Sequence, residues 1–185
     1  DMREMFLDCA KMNDPNISKF TININTSVKM SGMFKGAAAF NQPLDTWDTQ
    51  KVTDMSGMFM DAIVFNQDIS GWTVSNVTNM SEMFRGAQAF DQDIGDWDTQ
   101  QVIDMGGMFM DATDFNGNSS LTLQSILRLN TGNVTNMSNM FRNASTFNMV
   151  VSQSKNLLAF NTTNVTNMAR MFKNATQFNN GGLQI

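Results

Sequence analysis

Four aspartates, Asp91, Asp93, Asp96 and Asp98, form the densest group of acid side chains in this 185-residue sequence. Two carboxylates held at a suitable separation can hydrolyse a glycosidic bond, and a group of them can hold calcium. Acids recur, however, at the comparable places Asp45, Asp48 and Asp68, which suits loop capping repeated along the chain better than one special pair. The run Asp114, Asn116, Asn118 opens like a calcium loop, yet its sixth position is Ser119 and its twelfth Ser125, where such a loop needs Gly and Glu. With no His and a single Cys, the nucleophile and base arrangements of acyl transfer cannot be assembled. The expectation is a chain that is not an enzyme and carries no cofactor or metal, with Asp91, Asp93, Asp96 and Asp98 as the calcium candidates. A polysaccharide-active enzyme would have to rest on Asp93 or Asp96.

Other residue types point to recognition rather than reaction. Trp47, Trp72 and Trp97 recur at a constant interval; aromatics so spaced either make a platform for sugar rings or close the core at the end of a short strand. Asn-x-Ser/Thr occurs many times, and Asn143 and Asn174 are the first candidates for glycans, because they replace an outward Asp or Gly of earlier copies. Cys9 stands where later copies have Ala and reads as a small buried residue.

The element that must position all of these is a repeat. Met-x-x-Met-Phe-x-x-Ala begins at Met30, Met55, Met80, Met105, Met137 and Met168, with Met2-Met5-Phe6-Cys9 as an altered first copy. Successive starts differ by 28, 25, 25, 25, 32 and 31 residues. A period near 25 marks a solenoid, in which a unit buries its apolar face only against its neighbours. Seven copies account for residues 1–185 as a single segment, and the opening in mid-repeat without a capping unit suggests part of a longer chain. The 18 Met and 15 Phe take the places that Leu fills in most repeat proteins, with Met as the gap filler.

Within a unit, Met55, Met58, Phe59 and Ala62 lie at i, i+3, i+4 and i+7, which predicts a short helix over about 55–63. Asp54, Asn79, Asp104, Asn136 and Asn167 stand where its N-cap would be. Phe65-Asn66 and its equivalents follow, then Ile69 and Trp72, which predicts a strand of three to five residues in this second half. The Asn of the Phe-Asn pair is placed to bond backbone groups of adjacent turns.

The string Asn-Val-Thr-Asn-Met-Ser-x-Met-Phe-x-x-Ala-x-x-Phe-Asn-x-x-Ile-x-x-Trp resembles the BspA-like leucine-rich-repeat surface proteins, in the Met-rich form of mycoplasma lipoproteins. The resemblance implies an α/β repeat solenoid: a right-handed leucine-rich-repeat-like coil with short parallel strands on one side and short helices on the other. It also implies a non-enzymatic role at the cell surface or outside the cell, typically adhesion to surface proteins or glycans.

The units also alternate in pairs. After each Phe the sequence reads Lys35-Gly36, Met60-Asp61, Arg85-Gly86, Met110-Asp111. This predicts ion pairs from Lys35 and Arg85 to Asp61 and Asp111 on neighbouring turns, and an exposed apolar column at Met60 and Met110 that invites self-association. A structural subunit of a filament, sheath or coat is therefore the rival to adhesion. Insertions near 117–132, including Leu121 and Leu123, and near 149–161 map to edge loops and are expected to make contacts. The net charge of −5, from 12 basic and 17 acidic residues, and the lack of a basic run exclude phosphate-backbone binding, so no nucleic acid is expected. No stretch reaches the length of a membrane span.

Overall fold

The computed structural model describes residues 1–22, 26–116, 125–148 and 160–178. Its order begins with glycine and Asx chemistry inside the Met stripe. Met58 N–H donates to the Met55 carbonyl at 3.2 Å, Met60 N–H to Gly57 at 3.0 Å and Ala62 N–H to Phe59 at 3.1 Å, so overlapping i to i+3 turns follow one another. The third residues of the first and last of these turns, Gly57 and Asp61, have φ of 58° and 57°. A positive φ at that position is the requirement of a type II turn, met cheaply by Gly and by short Asx side chains. A helix cannot run through it, and among the described residues 55–63 is turns rather than helix.

The turns free every second N–H for the neighbouring unit. Met55, Gly57, Phe59 and Asp61 donate to the carbonyls of Asn79, Ser81, Met83 and Arg85 at 3.0, 2.8, 2.9 and 2.7 Å. The same ladder joins Met30, Gly32, Phe34 and Gly36 to Asp54, Ser56, Met58 and Met60. Backbone groups that a helix would satisfy internally are thus paired between units, as buried amides must be.

The extended backbone lies just before the stripe. Strand β1, Val28–Lys29, pairs in parallel with β2, Val52–Asp54. Single parallel bridges then continue from Asp54 through Asn79, Asp104 and Asn136 to Asn167. The strand expected in the second half of the unit is absent among the described residues; there, Trp72 N–H closes a turn on Ile69 at 3.1 Å and Ser70 N–H donates to Asp68 Oδ1 at 2.9 Å. β-branched Val52 and Thr53 carry the extended segment, whereas the Asp- and Gly-punctuated second half closes on its own side chains.

Stacking buries the stripe completely. The Met, Met, Phe and Ala positions of the four units that begin at Met30, Met55, Met80 and Met105 are all 0% exposed. Two phenylalanines per unit lie face to face, Phe59 on Phe65 with centroids 3.9 Å apart. Each also stacks on its counterpart in the next unit: Phe59 on Phe84 at 5.8 Å and Phe65 on Phe90 at 6.1 Å. Two aromatic columns therefore run from Phe34 and Phe40 through to Phe172 and Phe178. A well-placed pair contributes about 0.5–1.5 kcal/mol beyond its buried area.

The tryptophans close this core. Trp47, Trp72 and Trp97 are buried, and their Nε1–H groups donate to the carbonyls of Ile17, Leu44 and Ile69 in the preceding unit at 3.2, 3.0 and 3.2 Å. They present no exposed aromatic platform. Their removal from the partner-binding candidates follows from size: an indole is worth most where its rings are dry and its N–H finds an acceptor.

Candidate functional site

Three columns of polar side chains line the outside of the stack, and each is first a joint between units. In the Phe-Asn column, Asn41 Oδ1 accepts from Asn66 N–H, Asn66 Oδ1 from Asp91 N–H and Asp91 Oδ1 from Asn116 N–H, at 3.0, 3.0 and 2.8 Å. Gln67 Nε2 and Gln92 Nε2 donate to the same Asn oxygens at 3.0 and 2.7 Å. The expected bonding of this column to backbone of adjacent turns is present.

The second column holds the Asx residues placed as caps. With no helix to cap, each Oδ1 instead accepts the backbone N–H two residues on, from Ser56 to Asp54 at 3.0 Å and from Ser81 to Asn79 at 2.9 Å. Acid and amide alternate through Asp54, Asn79, Asp104 and Asn136, and Asn136 Nδ2 donates to Asp104 Oδ1 at 3.0 Å. Like carboxylates at a spacing of about 4.8 Å would repel, and an intervening amide removes that cost.

The third column explains the pairing of units. Positive φ falls at Asp8, Gly36, Asp61, Gly86, Asp111, Asn143 and Asn174, between 55° and 71°. A Cβ added at Gly36 or Gly86 would collide with Oδ1 of Asp8 or Asp61, so each of these carboxylates lies over a glycine of the following unit. Beyond Asp111 the solution changes, with Asn143 Nδ2 donating to Asp111 Oδ1 at 2.5 Å and Asn174 Nδ2 to Asn143 Oδ1 at 2.9 Å.

This geometry overturns the expected ion pairs. Lys35 and Asp61 have no salt-bridge partner among the described residues, and Arg85 turns to Glu82, Nη1 to Oε1 at 2.9 Å, rather than to Asp111. The alternation sets carboxylate over glycine, not cation against anion. Met60 is only 8% exposed and Met110 half-buried, so the apolar column expected on the surface is largely covered.

The family model described as Mycoplasma protein of unknown function, DUF285, matches residues 1–124 and 115–183. The chain belongs to the DUF285 family. No curated protein and no solved structure matches it.

In this DUF285 chain the remaining site residues are spread over the surface rather than gathered. Asp91 belongs to the Asn ladder, Asp93 and Asp96 share Arg128 at 3.2 and 3.3 Å, and Asp98 Oδ1 accepts Gln100 N–H at 3.2 Å. Among the described residues no group of three or more metal-ligating side chains forms, so the four calcium candidates do not converge. Ser70 N–H, and then the Ser70 hydroxyl, hold the Asp68 carboxyl below its ordinary range. Cys9, expected inside, is exposed. The Asn143 and Asn174 amides each donate one N–H within the third column, and Asn174 is exposed. Leu121 and Leu123 lie outside the described residues, as do 117–124 and 149–159 of the two insertions. No helix among the described residues is long and apolar enough to cross a membrane.

Among the described residues, concave features of the DUF285 chain also escaped the sequence reading. A hollow of about 470 Å³ lies between the first unit and the 3-10 helix Pro15–Lys19, lined by Phe6, Met12, Ile17 and Phe20 among others. A smaller notch of about 210 Å³ opens at Gly106 and Gly107, between Ser81 and Glu82 of one neighbouring unit and Asn136, Ser138 and Asn139 of the other. Its signal was present in the sequence: Met105-Gly-Gly-Met108 is the one copy of the motif with two adjacent glycines after its first Met. The exposed apolar pair Ile63 and Val64, 41% and 42% exposed, stands on another face of the same stack.

Proposed function

We propose that this chain is a non-enzymatic repeat protein of the cell surface or extracellular space, binding proteins or glycans along the outside of a stack of the BspA-like leucine-rich-repeat kind. On this reading the stack is a solenoid, right-handed as parallel crossovers generally are, in which successive turns replace the helical side. The observation that carries the reading is what the repeated residues do. Met, Phe, Trp, Asn and Asp columns are consumed in joining one unit to the next, and the carboxylates that might have done chemistry are individually engaged. What varies from unit to unit lies at the surface, as in scaffolds whose function is recognition.

The test is capture. Purified protein is applied to a glycan array and to immobilised extracellular-matrix proteins, with its mass in solution measured in parallel. Saturable retention of a monomer supports the reading; retention on neither surface contradicts it. A structural subunit is the second reading, favoured by the exposed pair Ile63 and Val64. Ordered homopolymers that form without ligand, and dissolve on Val64→Lys substitution, would support that alternative instead.

A further inference from the structure

We propose that the two end faces of this stack are complementary, so that the 185-residue chain docks head to tail on a second copy and carries the unit-to-unit ladder across the junction. This goes beyond the surface-binding reading and does not depend on it, because docked ends leave the outside of the stack free.

Each interior unit uses two rows of backbone groups. Alternate N–H groups of the Met stripe donate to the following unit, and the carbonyls of the residues just before them accept from the preceding one. In the unit that begins at Met168 one row is used and the other is not. Its Asn167, Ala169, Met171 and Lys173 carbonyls accept from Met137, Asn139, Phe141 and Asn143 at 2.8, 2.9, 2.9 and 2.8 Å, whereas the N–H groups of Met168, Arg170, Phe172 and Asn174 find no acceptor among the described residues. The unit that begins at Met2 shows the reverse. Its Met2, Glu4, Phe6 and Asp8 N–H groups donate onward at 3.0, 3.0, 2.9 and 2.7 Å, and the carbonyls of Asp1, Arg3, Met5 and Leu7 find no donor among the described residues. Four donors at one end therefore match four acceptors at the other, in the same order along the stripe.

The core side chains match as well. Met168 is 49% exposed and Met5 42%, with Phe6, Phe172 and Phe178 half-buried, while the equivalent positions of the four units from Met30 to Met105 are all 0% exposed. Phe6 and Met12 also wall the hollow of about 470 Å³. Docking in the register of the ladder sets Phe6 of one copy on Phe172 of the other, which extends an aromatic column, and brings the Met12 thioether to the Phe178 ring.

Charge selects a second copy over an unrelated apolar partner. Residues 1–8 carry three acids and one base, and residues 167–174 carry two bases and no acid. In register, Arg170 lies one rung from Glu4. Asn167 lies one rung from Asp1, which repeats the acid and amide alternation of the Asx column. The copies are related by a step along the stack rather than by a two-fold axis, so the contact is heterologous and each addition leaves a fresh end to extend.

The experiment is analytical ultracentrifugation of the 185-residue chain over a concentration series, under reducing conditions so that the exposed Cys9 cannot link copies. The expected result is reversible association that grows with concentration beyond the dimer. Met168→Lys puts a charge where the side chain is already half exposed, so the urea midpoint stays at the wild-type value while association weakens at least tenfold. Arg170→Glu also weakens it, and adding Glu4→Arg restores it; both residue types already occur at this positive-φ position, as Arg170 and Glu82 show. Val64→Lys, on the outside of the stack, leaves it unchanged. A chain that stays monomeric at every concentration overturns the proposal, as does association that Met168→Lys leaves intact or a charge swap that restores nothing. Retention on the glycan array or on matrix proteins bears on the surface-binding reading alone.

Discussion

Gly86 is where the pairing of units is most open to attack. Its φ of +68° lies in the left-handed region, and a Cβ there would meet Asp61 Oδ1 and come within 3.5 Å of Asp61 Cα. Gly86→Ala carries the left-handed penalty of an L-residue, about 1–2 kcal/mol, and must also push the Asp61 carboxylate aside. Gly86→Asp places a carboxylate one rung from Asp61 on one side and one rung from Asp111 on the other. At about 4.8 Å, two unit charges repel by about 1 kcal/mol in water and about 3.5 kcal/mol at an effective dielectric constant of 20, which brackets a half-exposed site. Gly86→Asn tolerates the left-handed region and can donate its amide to Asp61, as Asn143 does to Asp111. The expected order of stability in urea denaturation at pH 7 is therefore wild type, then Asn close behind, then Ala, then Asp. Adding Asp61→Gly to Gly86→Asp removes one of the two neighbouring carboxylates and recovers about half of the repulsion, Asp111 remaining on the other side; adding Asp111→Gly as well recovers most of it, and so does lowering the pH until the carboxylates protonate. If Asn and Ala cost the same, or if Asp61→Gly rescues nothing, carboxylate-over-glycine packing is not what pairs the units.

Other consequences can be checked separately. Phe84→Ala, which interrupts an aromatic column at a residue stacked on Phe59, Phe90 and Phe109, is expected to cost about 3–5 kcal/mol, read as a lower urea midpoint. Trp72→Phe keeps the bulk but removes the 3.0 Å bond from Nε1–H to the Leu44 carbonyl, which keeps the Trp47 N–H at 3.1 Å, so the cost is that of one hydrogen bond, about 0.5–1.5 kcal/mol, seen in the same assay. The Asp68 carboxyl has its pKa lowered in the fold by Ser70, so its stabilising contribution is complete above the unfolded value of about 3.9 and fades as pH falls through the depressed folded value. A carboxyl-detected NMR titration should place Asp68 below a free aspartate, and Ser70→Ala should bring it part of the way back; an unshifted Asp68 removes this link.

Much of the stack was legible in the sequence because period and apolar placement report burial directly. Met55, Met58, Phe59 and Ala62 are inside as their spacing requires, and the Asn41, Asn66 and Asp91 column bonds backbone of adjacent units as expected. Local conformation was harder. A stripe at i, i+3, i+4 and i+7 arises in a helix, but it arises equally in consecutive turns that point the same residues inward. The discriminating signal was Gly32, Gly57 and Gly107 in the middle of the stripe and Gly, Asp or Asn near its end, all places where φ is positive. The strand was sought beside Ile69 and Trp72, whereas the β-branched Val52 and Thr53 carry it. Alternation of Gly36, Asp61, Gly86 and Asp111 beside Lys35 and Arg85 suggested cross-unit ion pairs, because a sequence shows charges in order but not the carboxylate that fills the space above a glycine.

The central claim is that successive units lie parallel and in register, one rung apart. It is tested most directly by paired cysteines on the exposed column before the Asx residues, in a Cys9→Ala background that removes the exposed native thiol. Thr78 and Ile103 precede the bridged pair Asn79 and Asp104, and Ile103 N–H donates to the Thr78 carbonyl at 2.9 Å. Adjacent rungs of about 4.8 Å fall within the 4.4–6.8 Å reach of a disulfide, and rungs two apart, at about 9.6 Å, do not. Oxidation should therefore join Thr78→Cys to Ile103→Cys within one chain and leave Thr53→Cys with Ile103→Cys reduced. Equal cross-linking of both pairs, or a reduced 78/103 pair under the same conditions, would contradict the register on which the fold and its surfaces depend.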